Sequence, residues 1–389
     1  MIIAGGTYLE LCLRPEWHRI FGSGLRATCA SAELSPGTVL HTYAFGEWAD
    51  DIRHSAAAFG CVAKVTSTDT PISFSYDHPL SRARCDPRIV QRNPPLVVEG
   101  QTVLRFAFVE GDAVVTADRA VYDPQSSHPQ EPFSANGSVA RSLALVLNQD
   151  EAEGGGTAQI DDLLDMHRAE LAVVKRGPFG ATVHARATAP VHVPAYKSES
   201  VFKIGSGDVF SAAFAAHWGE RGLDPAVAAD LASRSAAQFV DGHVLPIPSV
   251  IETAMEPVMG SHGGRIYVAG PFFDLPQRWM IEQAAEALTS FGVEIFSPLH
   301  EVGTGLPDQA IAEADLAGLR TCTKVWAVLD GADPGTVFEV GYARALGIPV
   351  VALAERLEST NLTMMRGSGC EVVQDFATSI YHLIWAADR

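Results

Sequence analysis

Rhythm constrains this sequence most: short apolar runs bounded by turn residues recur along the chain, several of them followed by stretches with helical spacing. The runs lie at residues 97–98, 103–108, 142–147, 171–174, 266–269 and 324–329. Strands alternating with helices predict parallel sheets covered on both faces, so the expected class is α/β. No repeat of solenoid period overrides that rhythm, and the low-complexity stretch is Gly154-Gly155-Gly156. A chain of 389 residues is long enough for two such domains, each with its own core.

The rhythm breaks near residues 246–264, where prolines and then Ser261-His262-Gly263-Gly264 precede a fresh strand, Arg265-Ile266-Tyr267-Val268-Ala269. This divides the chain into a first domain at 1–250, a linker at 251–263 and a second domain at 264–389. In the second domain, Ile281, Ala284, Ala285 and Leu288 have helical spacing within 279–291. Residues 293–296 and 349–353 read as strands, and 315–322 and 339–346 as helices. About 125 residues suffice for a five-stranded doubly wound domain.

Forty-six acids against 28 bases leave a formal net charge of −18, a field that repels phosphate backbones and anionic lipid. Nucleic-acid and membrane partners are therefore not expected, whereas a small anion at a helix N-terminus is compatible with an acidic protein. Six scattered cysteines lack a Cys-x-x-Cys pair and any histidine spacing suited to zinc, so neither a disulfide framework nor a structural metal site is expected. Met1-Ile2-Ile3-Ala4-Gly5-Gly6 reads as a strand and turn without the basic region and apolar core of a signal peptide. No apolar run reaches ~18 residues, and a soluble, cytoplasmic protein is the expectation.

Ligands in open α/β sheets bind at the carboxyl ends of the strands, which directs attention to the segments after Ala269 and Leu329. The second runs from Asp330 through Asp333-Pro334-Gly335-Thr336 into a helix bearing Glu339. A glutamate in a first turn complements the helix dipole. Phe338, Val340 and Gly341 around it also suit a carboxylate that is shielded from solvent and faces a pocket.

Tyr267-Val268-Ala269-Gly270-Pro271-Phe272-Phe273, then Asp315, then Asp333-x-Gly-Thr-x-x-Glu339-x-Gly-Tyr-Ala resemble the nucleoside 2-deoxyribosyltransferase family over about 264–389. The resemblance implies a Rossmann-like domain that needs no cofactor. Glu339 would be the nucleophile that attacks the anomeric carbon, Tyr267 the residue that holds it, and Asp315 the acid that helps protonate the leaving base. Gly270, Pro271, Phe272, Asp333, Gly335, Asn361 and Met364 would contact substrate, with a turn-forming role for Asp333 equally open. Asn361-Leu362-Thr363-Met364 resembles a family segment that reaches into a neighbouring subunit's site, at a spacing one residue longer, so a homo-oligomer is expected. A related branch hydrolyses deoxynucleoside 5′-monophosphates. Transfer against hydrolysis, nucleoside against nucleotide, and the base all stay open.

In the first domain, Gly205-Ser206-Gly207-Asp208 opens an apolar helix, where glycine amides approach an anion and Asp208 suits proton acceptance. An Asp helix cap is the plainer reading. The segment resembles the glycine motif of the ribokinase-like (PfkB) carbohydrate kinase family. Val121-Tyr122-Asp123-Pro124, Asn148-x-x-Glu151 and Lys175-Arg176-Gly177-x-x-Gly180 agree with it in order. This resemblance implies an α/β/α kinase domain with Asp208 as base, Gly205, Ser206 and Gly207 as anion hole, Asn148, Glu151 and Gly177 toward the nucleotide, and ATP with magnesium as cofactors. The chain departs from the family at Phe202 and Lys203, and its sugar-binding segment is reduced to Gly22-Ser23-Gly24-Leu25-Arg26. Two functions follow as expectations. One is a nucleoside-processing fusion enzyme acting on a nucleoside, nucleotide or sugar. The other is a degenerate kinase-like module that senses nucleotide, or acts as a scaffold, and regulates an N-glycosidase.

Overall fold

The computed structural model describes residues 1–125, 131–153, 160–251, 255–258, 264–356 and 362–388. Its contacts divide the chain into two compact units, Met1–Asp77 with Arg82–Val258 and His78–Ser81 with Met259–Arg389.

The strands of the first unit are β1 (Ile2–Ala4), β2 (Leu9–Cys12), β3 (Trp17–Ile20), β4 (Val39–Phe45), β5 (Val62–Thr68), β6 (Ser73–Tyr76), β7 (Arg84–Asp86), β8 (Leu96–Phe106), β9 (Ala113–Asp123), β10 (Val139–Asn148), β11 (Leu171–Lys175), β12 (Ala181–Ala185) and β13 (Val191–Val193). Nine of them form one sheet in the order β13-β12-β11-β10-β9-β8-β1-β4-β5, and four form a second in the order β3-β2-β6-β7. The large sheet is parallel from β11 through β5, but β12 and β13 pair antiparallel. The wholly parallel expectation fails there because the link after β11, turned at Gly180 with φ 85°, is too short for a crossover. The runs at 97–98 and 103–108 belong to a single strand, since Glu99 and Gly100 keep register with Thr116 and Ala117 of β9. Val103, Val115, Leu145 and Ala172 are fully buried in the core of this sheet.

The second unit has β14 (Arg265–Ala269), β15 (Glu294–Phe296), β16 (Lys324–Val328), β17 (Val350–Leu353) and β18 (Glu371–Val373), all parallel, in the order β15-β14-β16-β17-β18. Every residue of β16 and β17 is buried, as strands covered on both faces require. The connection reverses direction beside β14, and the crevice between the carboxyl ends of β14 and β16 is the switch point. Three helices begin earlier than their apolar spacing predicts. Leu275–Ser290 starts at a capping box of Asp274 and Gln277, Pro334–Ala345 starts at Asp333 with proline in its first turn, and the third is Asp308–Arg320. Among the described residues no helix is long and apolar enough to cross a membrane.

Candidate active site

The second unit places its acids at the switch point. Tyr267 stands in β14 between β15 and β16, fully buried, and its hydroxyl donates to Oε1 of Glu339 at 2.6 Å. Phe296, the strand partner of Tyr267, stacks on the Tyr267 ring with centroids 5.4 Å apart and planes at 10°. The helix Asp308–Arg320, which carries Asp315, passes so close that a Cβ at Gly318 would collide with the Phe296 ring. Glycine there is a packing requirement. Asp333 caps the helix Pro334–Ala345, with Oδ2 accepting from the Thr336 backbone N–H at 2.7 Å and its hydroxyl at 2.9 Å. Glu339 therefore sits in the second turn and not the first, where a dipole-complementing acid belongs. Its shielding also differs from the sequence reading. Phe338 is 62% exposed and Gly341 is exposed, whereas Tyr267 covers the carboxylate from the sheet side.

Burial pushes the Glu339 carboxyl up to about 7; the Tyr267 hydrogen bond opposes this, and the negative charges of Asp315 and Asp333 add to it. Burial likewise raises Tyr267, and Glu339 beside it adds to the effect, so the phenol stays protonated and donates. Burial also raises Asp315, whose Oδ1 is enclosed without a hydrogen-bond partner. The arrangement holds one carboxylate by a neutral donor and keeps a second acid within its electrostatic reach, which suits a nucleophile and an acid near neutral pH.

Around these three, Gly270 leaves β14 where a Cβ would meet Ile281 at 2.7 Å. Pro271 is buried, Phe272 is partly exposed, and its carbonyl accepts from Arg278 Nε at 3.0 Å. Gly335 is exposed in the capped turn, and Met364 is 77% exposed on Thr363–Gly367. Asn361 lies outside the described residues.

In the first unit, Asp123, Asn148 and Lys175 end three adjacent strands, with Asn148 in register with Lys175. The Lys175 ammonium reaches Asp123 Oδ2 at 2.8 Å, and the Ser211 hydroxyl donates to the same oxygen at 2.7 Å. Asn148 and Glu151 bond to each other, the Asn148 backbone N–H donating to Oε2 at 2.7 Å and the Glu151 N–H to Oδ1 of Asn148 at 2.8 Å. Burial, joined by Asp123 and opposed by Lys175, lifts Glu151 to about 7. Gly177 lies in the turn after β11 with φ 55°. Among the described residues no three His, Cys, Asp or Glu side chains are placed together to hold a metal ion.

Asp208 follows Gly205, Ser206 and Gly207 at the start of the helix Ser206–Phe214, with Gly205 in the left-handed region at φ 82°. It is buried. Arg26 Nη1 donates to its Oδ2 at 2.9 Å and Gln125 Nε2 to its Oδ1 at 2.9 Å. Arg26 also pairs with Glu10. Burial, joined by Glu10 and Asp123 and opposed by Arg26, raises Asp208 to about 6. Sequence reasoning did not find Glu10 and Arg26 as its partners. The signal available was a lone charge inside each of two apolar segments, Leu9-Glu10-Leu11-Cys12 and Leu25-Arg26-Ala27.

Solved structures similar to this chain include ribokinase from Thermotoga maritima, at 17% identity over 62% of this chain and 92% of that one, with a TM-score of 0.44. Arabidopsis thaliana ribokinase complexed with ribose and ATP is 15% identical over 64% and 95%, with a TM-score of 0.47. Aminoimidazole riboside kinase from Salmonella enterica is 14% identical over 64% and 97%, with a TM-score of 0.46. No curated protein matches the chain. Residues 266–376 match the family model described as nucleoside 2-deoxyribosyltransferase, so the resemblance read from Tyr267, Asp315 and Glu339 falls on a matched domain.

Proposed function

We propose that the second unit breaks the N-glycosidic bond of a nucleoside or nucleotide through a glycosyl ester on Glu339. The observation that carries this reading is the Tyr267–Glu339 hydrogen bond at 2.6 Å, beside a second enclosed acid and at the switch point of a matched domain. In the first step a Glu339 carboxylate oxygen bonds to the anomeric carbon as the carbon–nitrogen bond breaks, and the departing base takes a proton from Asp315. In the second step a new base, or water, attacks the same carbon and gives up its proton to the Asp315 carboxylate; the ester opens and returns the Glu339 carboxylate. Tyr267 keeps the carboxylate aimed without neutralising it. Gly270, Pro271 and Phe272 at the end of β14, with Gly335, Asp333, Asn361 and Met364, would border the substrate, and no cofactor enters. Mass spectrometry of nucleosides and nucleotides incubated with the protein, with and without an acceptor base, tests the reading. Base-dependent exchange identifies a transferase and free sugar a hydrolase, while unchanged substrates refute both.

For the first unit, an ATP- and magnesium-dependent sugar or nucleoside kinase with Asp208 as base competes with a degenerate module that senses nucleotide and regulates the second unit. One observation favours the module: both carboxylate oxygens of Asp208 already accept from side chains of the chain itself.

A further inference from the structure

We propose that Arg26 is a built-in occupant of the place where a phosphoryl acceptor would meet Asp208, and that it converts this end of the first unit from a catalytic crevice into a structural ion-pair core. The inference rests on the degenerate-module reading and names the residue responsible for it.

Phosphoryl transfer to a hydroxyl requires a free face on the base: the acceptor proton passes to the carboxylate as its oxygen bonds to phosphorus and the donor's bridging bond breaks. Here that face is taken. Arg26 is 1% exposed, and its guanidinium reaches Asp208 on one side and Glu10 on the other. It lies over the Phe21 ring at 5.1 Å, and a Cβ at Gly205 would collide with it. The open space that glycine leaves at this helix start, the space an anion would enter, is filled by the chain's own cation. Gln125 occupies the second oxygen of Asp208.

The neighbouring end of β1 is sealed in the same way. Tyr8 folds over Gly6 and donates to buried Glu110 at 2.7 Å, and Thr7 bonds Thr42 at 2.9 Å. Phe202 packs against Trp17 at 5.1 Å and His243 at 4.1 Å within an apolar cluster. A buried ion pair opened by removing one partner is strongly destabilising, because the other charge stays buried and uncompensated.

The test uses the full chain. The inference expects Arg26→Gln, which leaves Glu10 and Asp208 buried without their shared cation, to melt on the order of 10 °C below the parent. It also expects the parent, given ATP, magnesium and a panel of sugars and nucleosides, to form no phosphorylated product. An Arg26→Gln variant melting at or above the parent overturns the inference, as does a phosphorylated product whose formation Asp208→Asn abolishes. If the variant does not accumulate in folded form, the product assay on the parent decides alone. Titration calorimetry with ATP and ADP separates this from the sensing reading: no heat of binding removes the nucleotide-sensing role while the lowered melting temperature leaves the place of Arg26 intact.

Discussion

Replacing Glu339 by glutamine separates chemistry from stability, because the two respond in opposite directions. The carboxyl rises from an ordinary 4.5 to about 7 through burial, so the folded state holds its proton more tightly than the unfolded chain does. A raised carboxyl contributes stability that is fully present below about 4.5 and is lost as pH climbs through about 7. At about 1.4 kcal/mol per pH unit, this interval bounds the loss at roughly 3 kcal/mol. Glu339→Gln carries no charge to bury, so its stability should lack that loss. Relative to the parent it should be nearly neutral at pH 5 and more stable at pH 8, by about 1–3 kcal/mol once the amide's own burial is counted. For a unit of this size the gain corresponds to a melting temperature raised by roughly 3–10 °C. Turnover should move the other way, by ~10²-fold or more, because a neutral amide cannot form and release the ester. Calorimetry at pH 5 and pH 8, with chromatographic detection of released base, reads both. Parental turnover in the variant, or a stability difference that is the same at the two pH values, refutes the reasoning.

Tyr267→Phe removes the donor that opposes the rise of Glu339, so the ascending limb of kcat/KM should shift to higher pH; an unmoved limb separates the hydroxyl from the nucleophile's ionisation. Asp315→Asn should slow release of ordinary bases far more than release of a base already cationic from N-methylation, since only the former needs a proton; equal slowing argues against an acid role. Asp333→Ala should cost about 1 kcal/mol of stability through the lost cap on Thr336, measured by urea unfolding, and an unchanged midpoint would contradict the capping geometry.

The candidate site of the second unit was legible because its residues lie on strand ends and helix starts that punctuate the sequence. The apolar runs at β14 and β16 announce the switch point, and Glu339 follows β16 by a short loop. Apolar spacing misses the start of that helix, because the boundary is written in Asp333-Pro334, a cap followed by a first-turn proline. The difference moves Glu339 into the second turn and removes the dipole explanation for it. The first unit hid its decisive contact. Arg26 meets Glu10 across 16 residues and Asp208 across 182, on three different elements, and no local pattern encodes a side chain that fills the space above a distant glycine.

The two units handle a buried carboxylate in physically opposite ways, and the contrast bears on which of them does chemistry. Asp208 faces a guanidinium, a permanent cation that opposes the rise burial imposes on it and is itself fixed by Glu10, so its position is committed to the fold. Glu339 faces a phenol. A neutral donor fixes one oxygen's position at 2.6 Å while leaving the charge uncompensated, and among the described residues no cation pairs with it. Its nearest charged influences, Asp315 and Asp333, are negative and raise it further. A fold that carries such an unmet charge forgoes stability at neutral pH, and that cost persists where the group has a use in its ionised form. A positively charged oxocarbenium-like sugar forming against Glu339 would supply the missing counter-charge only in the transition state, so the electrostatic cost held in the resting protein would be relieved where relief accelerates the reaction.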